Sequence, residues 1–170
     1  MKSEMKTIRV RTQRKQEMLD ITSVVNHTIA DSGIWSGIAG IYSQHTTACL
    51  FVGEFQSALI DDLEDFLQRI VEEDLPYKHN SPEFSDCTRR NAASHLRSLL
   101  LSHCVMLPIV DGKAVFGEFQ RVIFAELDGP RDRTLQVHIL GSFEDSEENP
   151  NQRLVGAALG RGTPSAPPIG

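Results

Sequence analysis

A chain of 170 residues, 40% apolar and 24% charged, is long enough for one domain to bury a core without disulfides. Its net charge of −6 argues against a general binder of nucleic acid or anionic membrane. Three widely separated cysteines, Cys49, Cys87 and Cys104, form no C-x-x-C pair and offer neither a zinc ribbon nor a disulfide framework.

The charge is uneven, with residues 1–17 basic and residues 61–74 acidic, and both stretches read as solvated faces. Charges interrupt the N-terminal segment where a signal peptide would be apolar. No apolar run reaches the roughly 18 residues of a membrane span. The chain is therefore expected to be cytoplasmic.

Residues 7–12 alternate apolar and basic side chains, as a half-solvated strand does. Asp20-Ile-Thr22 offers a cap for a short helix that Gly33 would end. Residues 37–43 and 46–52 are β-like, with Gln44-His45 at their join. Over residues 57–73, Leu59, Leu63, Phe66, Leu67 and Ile70 fall at helical spacing before Pro76. Asp62 shares that face, where a carboxylate needs a partner. A polar loop at 77–87 follows. Residues 88–101 predict a second long helix, with Ala92, Leu96, Leu99 and Leu100 as its buried stripe. Residues 104–110 read as a strand, Asp111-Gly112 as a hairpin turn, and 113–127 as further extended chain. Asp128-Gly129-Pro130 makes another turn, and 133–140 alternates as a final strand. Cys49 and Cys104, lying in apolar runs, are expected to be buried.

About three helices and six or more strands joined by hairpins predict a single α+β domain with a mostly antiparallel sheet over residues 1–143. Residues 144–170, acidic and then rich in Gly, Pro and Ala, read as a disordered tail. No Walker sequence and no G-x-G-x-x-G after a strand is present, which sets aside those routes to nucleotide binding.

Two groups of residues can carry chemistry. His95 lies at the edge of the apolar stripe of its predicted helix, where an imidazole must be hydrogen-bonded or ligated, with Asn91 one turn earlier. His79 in the polar loop and His45 near a strand end complete a histidine set. Taken singly, each is more often a hydrogen-bonded structural histidine. The second group is Glu126-Leu-Asp128-Gly-Pro-Arg131-Asp-Arg133, two acids and two guanidiniums around a tight turn. Its plain alternative is a turn flanked by solvent-facing ion pairs.

These motifs occur in the order His45-Thr-Thr, Asp62 in an acidic helix, Tyr77-x-His79, Asn91-Ala-x-x-His95, Pro108-Ile-Val-Asp-Gly112, Gly117-x-x-Gln120 and Glu126-x-Asp-Gly-Pro-Arg131-x-Arg133. In that order they resemble the YjbQ family, also described as secondary thiamine-phosphate synthases, over about residues 7–141. The resemblance implies a compact, trimeric α+β fold with clefts near subunit boundaries. It also implies joining of a hydroxymethylpyrimidine diphosphate to a thiazole phosphate with release of pyrophosphate. Two departures are visible. Phe119 stands where the family usually has Trp, with Glu118 before it, and no Gly follows the His95 helix.

Set against that reaction, His45, His79, His95 and Glu126 are the candidate catalytic groups, and the three histidines are candidate ligands for a divalent metal. Asn91, Gln120, Asp128, Arg131 and Arg133 are candidate contacts to a small phosphorylated substrate. Arginine forks match phosphate oxygens. Three imidazoles suit Zn²⁺, whereas carboxylates and phosphates suit Mg²⁺. The competing readings are a metal-dependent hydrolase of a phosphorylated or acyl substrate and a non-enzymatic trimeric anion binder.

Overall fold

The computed structural model describes residues 1–144, and the tail expected from 144 onward falls outside them apart from Glu144. Alternating burial along β1 (Lys2–Arg11), β3 (Ser36–Ser43), β5 (Cys104–Val110) and β8 (Asp132–Ser142) places one face of each strand in the core. With the two-residue β6 (Lys113–Ala114), they form an antiparallel sheet in the order β1-β8-β3-β5-β6. A second antiparallel sheet runs β2-β7-β4, from β2 (Glu17–Asp20), β7 (Gln120–Glu126) and β4 (Ala48–Glu54).

The two sheets pack face to face. Ala39, Ile41, Leu107, Leu135, Val137 and Ile139 of the larger sheet meet Leu50, Val122 and Phe124 of the smaller. Val25 and Ile29 of α1 (Thr22–Ala30) join the same core. The smaller sheet's other face, Cys49, Ile123 and Ala125, packs on Leu67 of α2 (Ser57–Ile70). β7 is thus buried on both sides, which is why residues 122–125 read as an unbroken apolar run. Each such side chain contributes on the order of 1.5–3 kcal/mol by leaving water.

The hairpin turn at Asp111-Gly112 forms with both residues at positive φ, 52° and 72°, the geometry a two-residue hairpin needs. The run 113–127, read as one extended stretch, is divided instead. β6 ends at Ala114, and the chain crosses from the larger sheet to the smaller before β7 begins.

Two expectations about helix faces are corrected. α2 ends at Ile70, and Leu59, Phe66 and Ile70 stay exposed beside an equally exposed Asp62, which therefore needs no partner. α3 spans Ala92–Leu100 and is inverted. Its buried residues are Ala92, Ala93, Ser94, Arg97 and Ser98, whereas Leu99 is 71% exposed and Leu96 and Leu100 also face outward. The polar residues can be buried because each is satisfied. Ser94 Oγ donates to Leu127 O at 2.6 Å and Ser98 Oγ to Thr46 O at 2.6 Å. Arg97, 1% exposed, donates through Nε and Nη2 to Val71 O and through Nη1 to Glu73. Cys104, expected to be buried, lies on the outer face of β5 and is exposed; Cys49 is buried, and its thiol is pushed up to about 12 by burial and the nearby Glu126 charge. No helix among the described residues is long and apolar enough to cross a membrane.

Candidate functional site

The site forms where β7 ends, the chain turns through a cis Gly129-Pro130 bond, and β8 begins. Arg133 shares the inward parity of Leu135, Val137 and Ile139, so β8 drives its guanidinium into the core. There it meets Glu126, which is 0% exposed. Nε and Nη2 of Arg133 each donate to a carboxylate oxygen at 2.6 Å, and Nη2 also donates to Thr47 Oγ1 at 3.0 Å. Glu126 Oε1 further accepts the backbone N–H groups of Leu127 and Asp128. Both groups are spent on each other. Glu126, expected as a catalytic group, and Arg133, expected to hold phosphate, are thus engaged within the protomer as a buried clamp that sets the shape of the turn.

Above this clamp lies a second, more open group. Arg131 Nη2 and Asn91 Nδ2 both donate to Asp128 Oδ2 at 2.9 Å, and Arg131 Nε donates to Asp128 O at 2.7 Å. Thr12 Oγ1 fixes the Arg131 backbone by accepting its N–H at 2.8 Å. The Arg131 side chain keeps 31% of its surface in solvent, against 7% for Arg133. Of the two arginines, Arg131 alone is held in place and still accessible.

Asn91 caps α3, and the His95 N–H donates to the Asn91 carbonyl at 3.2 Å, one turn along. The His95 ring meets His79, which sits in a 3-10 turn over Lys78–Asn80, edge to face with centroids 5.0 Å apart. Burial, then the neighbouring His79, holds His95 below the ordinary imidazole range, with the Asp128 carboxylate acting in the opposite sense. A cavity of about 340 Å³ opens beside the pair, walled by Tyr77, Lys78, Ala92 and Leu96. His45 stands nearer the clamp. Its Nε2 accepts the Thr134 N–H at 3.1 Å, and burial together with the Arg133 charge lowers its pKa.

Residues 6–142 match the family described as UPF0047 protein YjbQ-like. A UPF0047 protein of Methanothermobacter thermautotrophicus is 39% identical over 132 residues, 78% of this chain and 88% of that protein. YugU of Bacillus subtilis, another UPF0047 protein, is 34% identical over 81% of this chain and 99% of its own length. The crystal structure of a YbjQ-like protein of unknown function from Sulfolobus solfataricus superposes with a TM-score of 0.76 at 34% identity, covering 83% of this chain and 99% of that one. This chain belongs to the YjbQ-like UPF0047 family.

Among the motifs by which the chain resembles this family, the fold gathers His45, His79, Asn91, His95 and the 126–133 segment at one end of the sheets. It leaves others apart. Gln120 opens β7, six residues from Glu126 and so about 20 Å away along the strand. Its Oε1 accepts the Gly117 N–H, which makes it a turn residue within one protomer and not a contact to this site. Asp62 lies on the exposed face of α2.

The donor set does not fit a zinc centre in one protomer. His45 commits Nε2 to Thr134, Glu126 is saturated, and Asp128 is shared between Asn91 and Arg131. Among the described residues no group of three His, Cys, Asp or Glu side chains is arranged to hold a metal ion. Thr12 carries no motif in the sequence, and Thr47 enters only as the last residue of His45-Thr-Thr. Their signal was available, since a threonine at a strand end of buried parity needs a polar partner.

Proposed function

We propose that this UPF0047 protein is a transferase of the thiamine-phosphate synthase type acting at the His79–His95 cleft. It would join a hydroxymethylpyrimidine diphosphate to a thiazole phosphate. The observation that carries this reading is the pairing of an oriented, accessible Arg131 with the edge-to-face His79–His95 contact beside a small, largely apolar cavity. In the reaction the thiazole nitrogen forms a bond to the pyrimidine methylene carbon. The carbon–oxygen bond breaks, and its electron pair leaves on pyrophosphate. Arg131 balances the charge that grows on the leaving oxygens. Two imidazoles this close disfavour double protonation, and a ring N–H of the pair is the proton donor for the departing pyrophosphate. The apolar wall suits a flat ring. The test is formation of thiamine phosphate and pyrophosphate in equal amounts by purified protein; a preparation that makes neither from the two substrates refutes the reading.

The same proposal makes the protein cytoplasmic and trimeric. Three free thiols support a reducing compartment. An apolar sheet face without a partner among the described residues supports association. Ile38, Tyr42, Met106, Val110 and Leu140 lie on the outer side of the larger sheet, each half or so exposed, with Met106 seated over Gly40. Light scattering should give three times the 18.9 kDa chain mass, and Met106→Glu should reduce it to one. A monomeric wild type at micromolar concentration contradicts this part.

A further inference from the structure

A second cleft, of about 630 Å³, opens between the β1–β2 connection and the loop after α2. That volume is within the roughly 300–1,000 Å³ of small-molecule sites. Two aromatic rings line it. Tyr77 is fixed by its hydroxyl donating to Glu72 O at 2.8 Å, and Phe84 is 61% exposed among the described residues, unusual for a phenylalanine. Lys78 sits with its Nζ 5.6 Å from the Phe84 ring centre. Three cations, Lys15, Lys78 and Arg90, face two carboxylates, Glu73 and Asp74. Glu73 is already held by the buried Arg97, and Lys15 pairs with it too. Lys78 and Arg90 have no ion-pair partner among the described residues. In a chain of net charge −6 this is a local excess of positive charge beside aromatic surface.

We propose that this cleft binds a phosphorylated small molecule with a planar ring, the ring lying against Phe84 and Tyr77 and the phosphate on Lys78 and Arg90. The phosphate class follows from donor geometry, since one phosphate has oxygens enough to take the Arg90 guanidinium fork and the Lys78 ammonium together, with Asp74 left as the acidic lining residue outside the Arg97–Glu73–Lys15 set. Tyr77 and Lys78 also wall the cavity at the histidine pair, so the cleft and that cavity are adjacent chambers. The inference stands on the cleft itself. If the proposed transferase reading also holds, the cleft seats the second ring phosphate of a two-substrate reaction.

Phenyl phosphate is a sufficient probe, titrated by calorimetry against the full chain with inorganic phosphate, benzoate and phenol in parallel. Saturable binding of phenyl phosphate at least tenfold tighter than any of the three is expected. Phe84→Ala and Arg90→Ala should each weaken it tenfold or more, with unchanged circular dichroism. His79→Ala and Arg131→Ala, which disable the proposed reaction, should leave it within twofold. Binding no tighter than inorganic phosphate, or insensitive to Phe84→Ala, overturns the proposal. Binding lost with His79→Ala but kept with Phe84→Ala also overturns it, by placing the probe at the histidine pair.

Discussion

Two arginines two residues apart have opposite fates. Arg133 is locked in the core by Glu126 and Thr47, while Arg131 lies over the turn on Asp128. Removing one member of a buried pair leaves a charge without a partner, typically a loss of about 3–5 kcal/mol. Arg133→Met should therefore lower the urea unfolding free energy by that order. Arg131→Ala, breaking a partly exposed pair, should cost about 1 kcal/mol or less. Equal losses would mean the clamp is not the anchor of this turn. The difference was legible in principle. Position 133 has the parity of Leu135, Val137 and Ile139, and position 126 ends an unbroken buried run. The alternation over 133–140 is visible in the sequence, but the motif reading did not use it to place Arg133 inward. The contact between His79 and His95, by contrast, joins a loop to a helix through tertiary packing, and no spacing in the sequence announces it.

At the level of elements, β1, β3, β5, β8 and the Asp111-Gly112 turn followed from alternation and backbone preference because those signals are local, whereas the four-residue β2 was not read and 113–127 was not divided. The helix faces did not follow. On α3 the apolar periodicity points to Leu96, Leu99 and Leu100, yet the core side is set by Ser94, Arg97 and Ser98, whose hydrogen bonds reach Leu127, Val71 and Thr46. Hydrophobic spacing identifies a helix and its apolar stripe, but not whether that stripe meets its own core or another surface. Arg97→Ala should lower stability by on the order of 3 kcal/mol, because it strands Val71 O and loosens Glu73. Leu99→Ala should change the stability of the isolated protomer by no more than about 0.5 kcal/mol. Thermal or urea unfolding of both variants checks the order, and the reverse order would restore the leucine face to the core.

Across the whole molecule, the fold favours the neutral imidazole at His45 and His95. His45 and His95 both have pKa values lowered by burial, so the unfolded chain takes up protons more readily than the folded one. Their contribution to stability is complete above the unfolded value of about 6.5 and is lost as the pH falls from there through the folded values. Glu73 adds the same sign at lower pH. Burial alone would raise it, but Lys15 and Arg97 outweigh burial and keep it ionised. Unfolding free energy should fall between pH 7.5 and 5.5, and the double variant His45→Gln, His95→Gln should flatten that slope. An unchanged slope would show that neither ring is held neutral by the fold.

In the proposed reaction His95 and Arg131 act on a phosphorylated substrate while Glu126 and Arg133 shape the turn beneath them. The decisive comparison is the rate of thiamine phosphate formation by wild type, His95→Ala and Arg131→Ala, each shown by circular dichroism and unfolding to be folded. Product from the wild type and a loss of at least a hundredfold in both variants is the predicted result. Wild-type rates in either folded variant would contradict it.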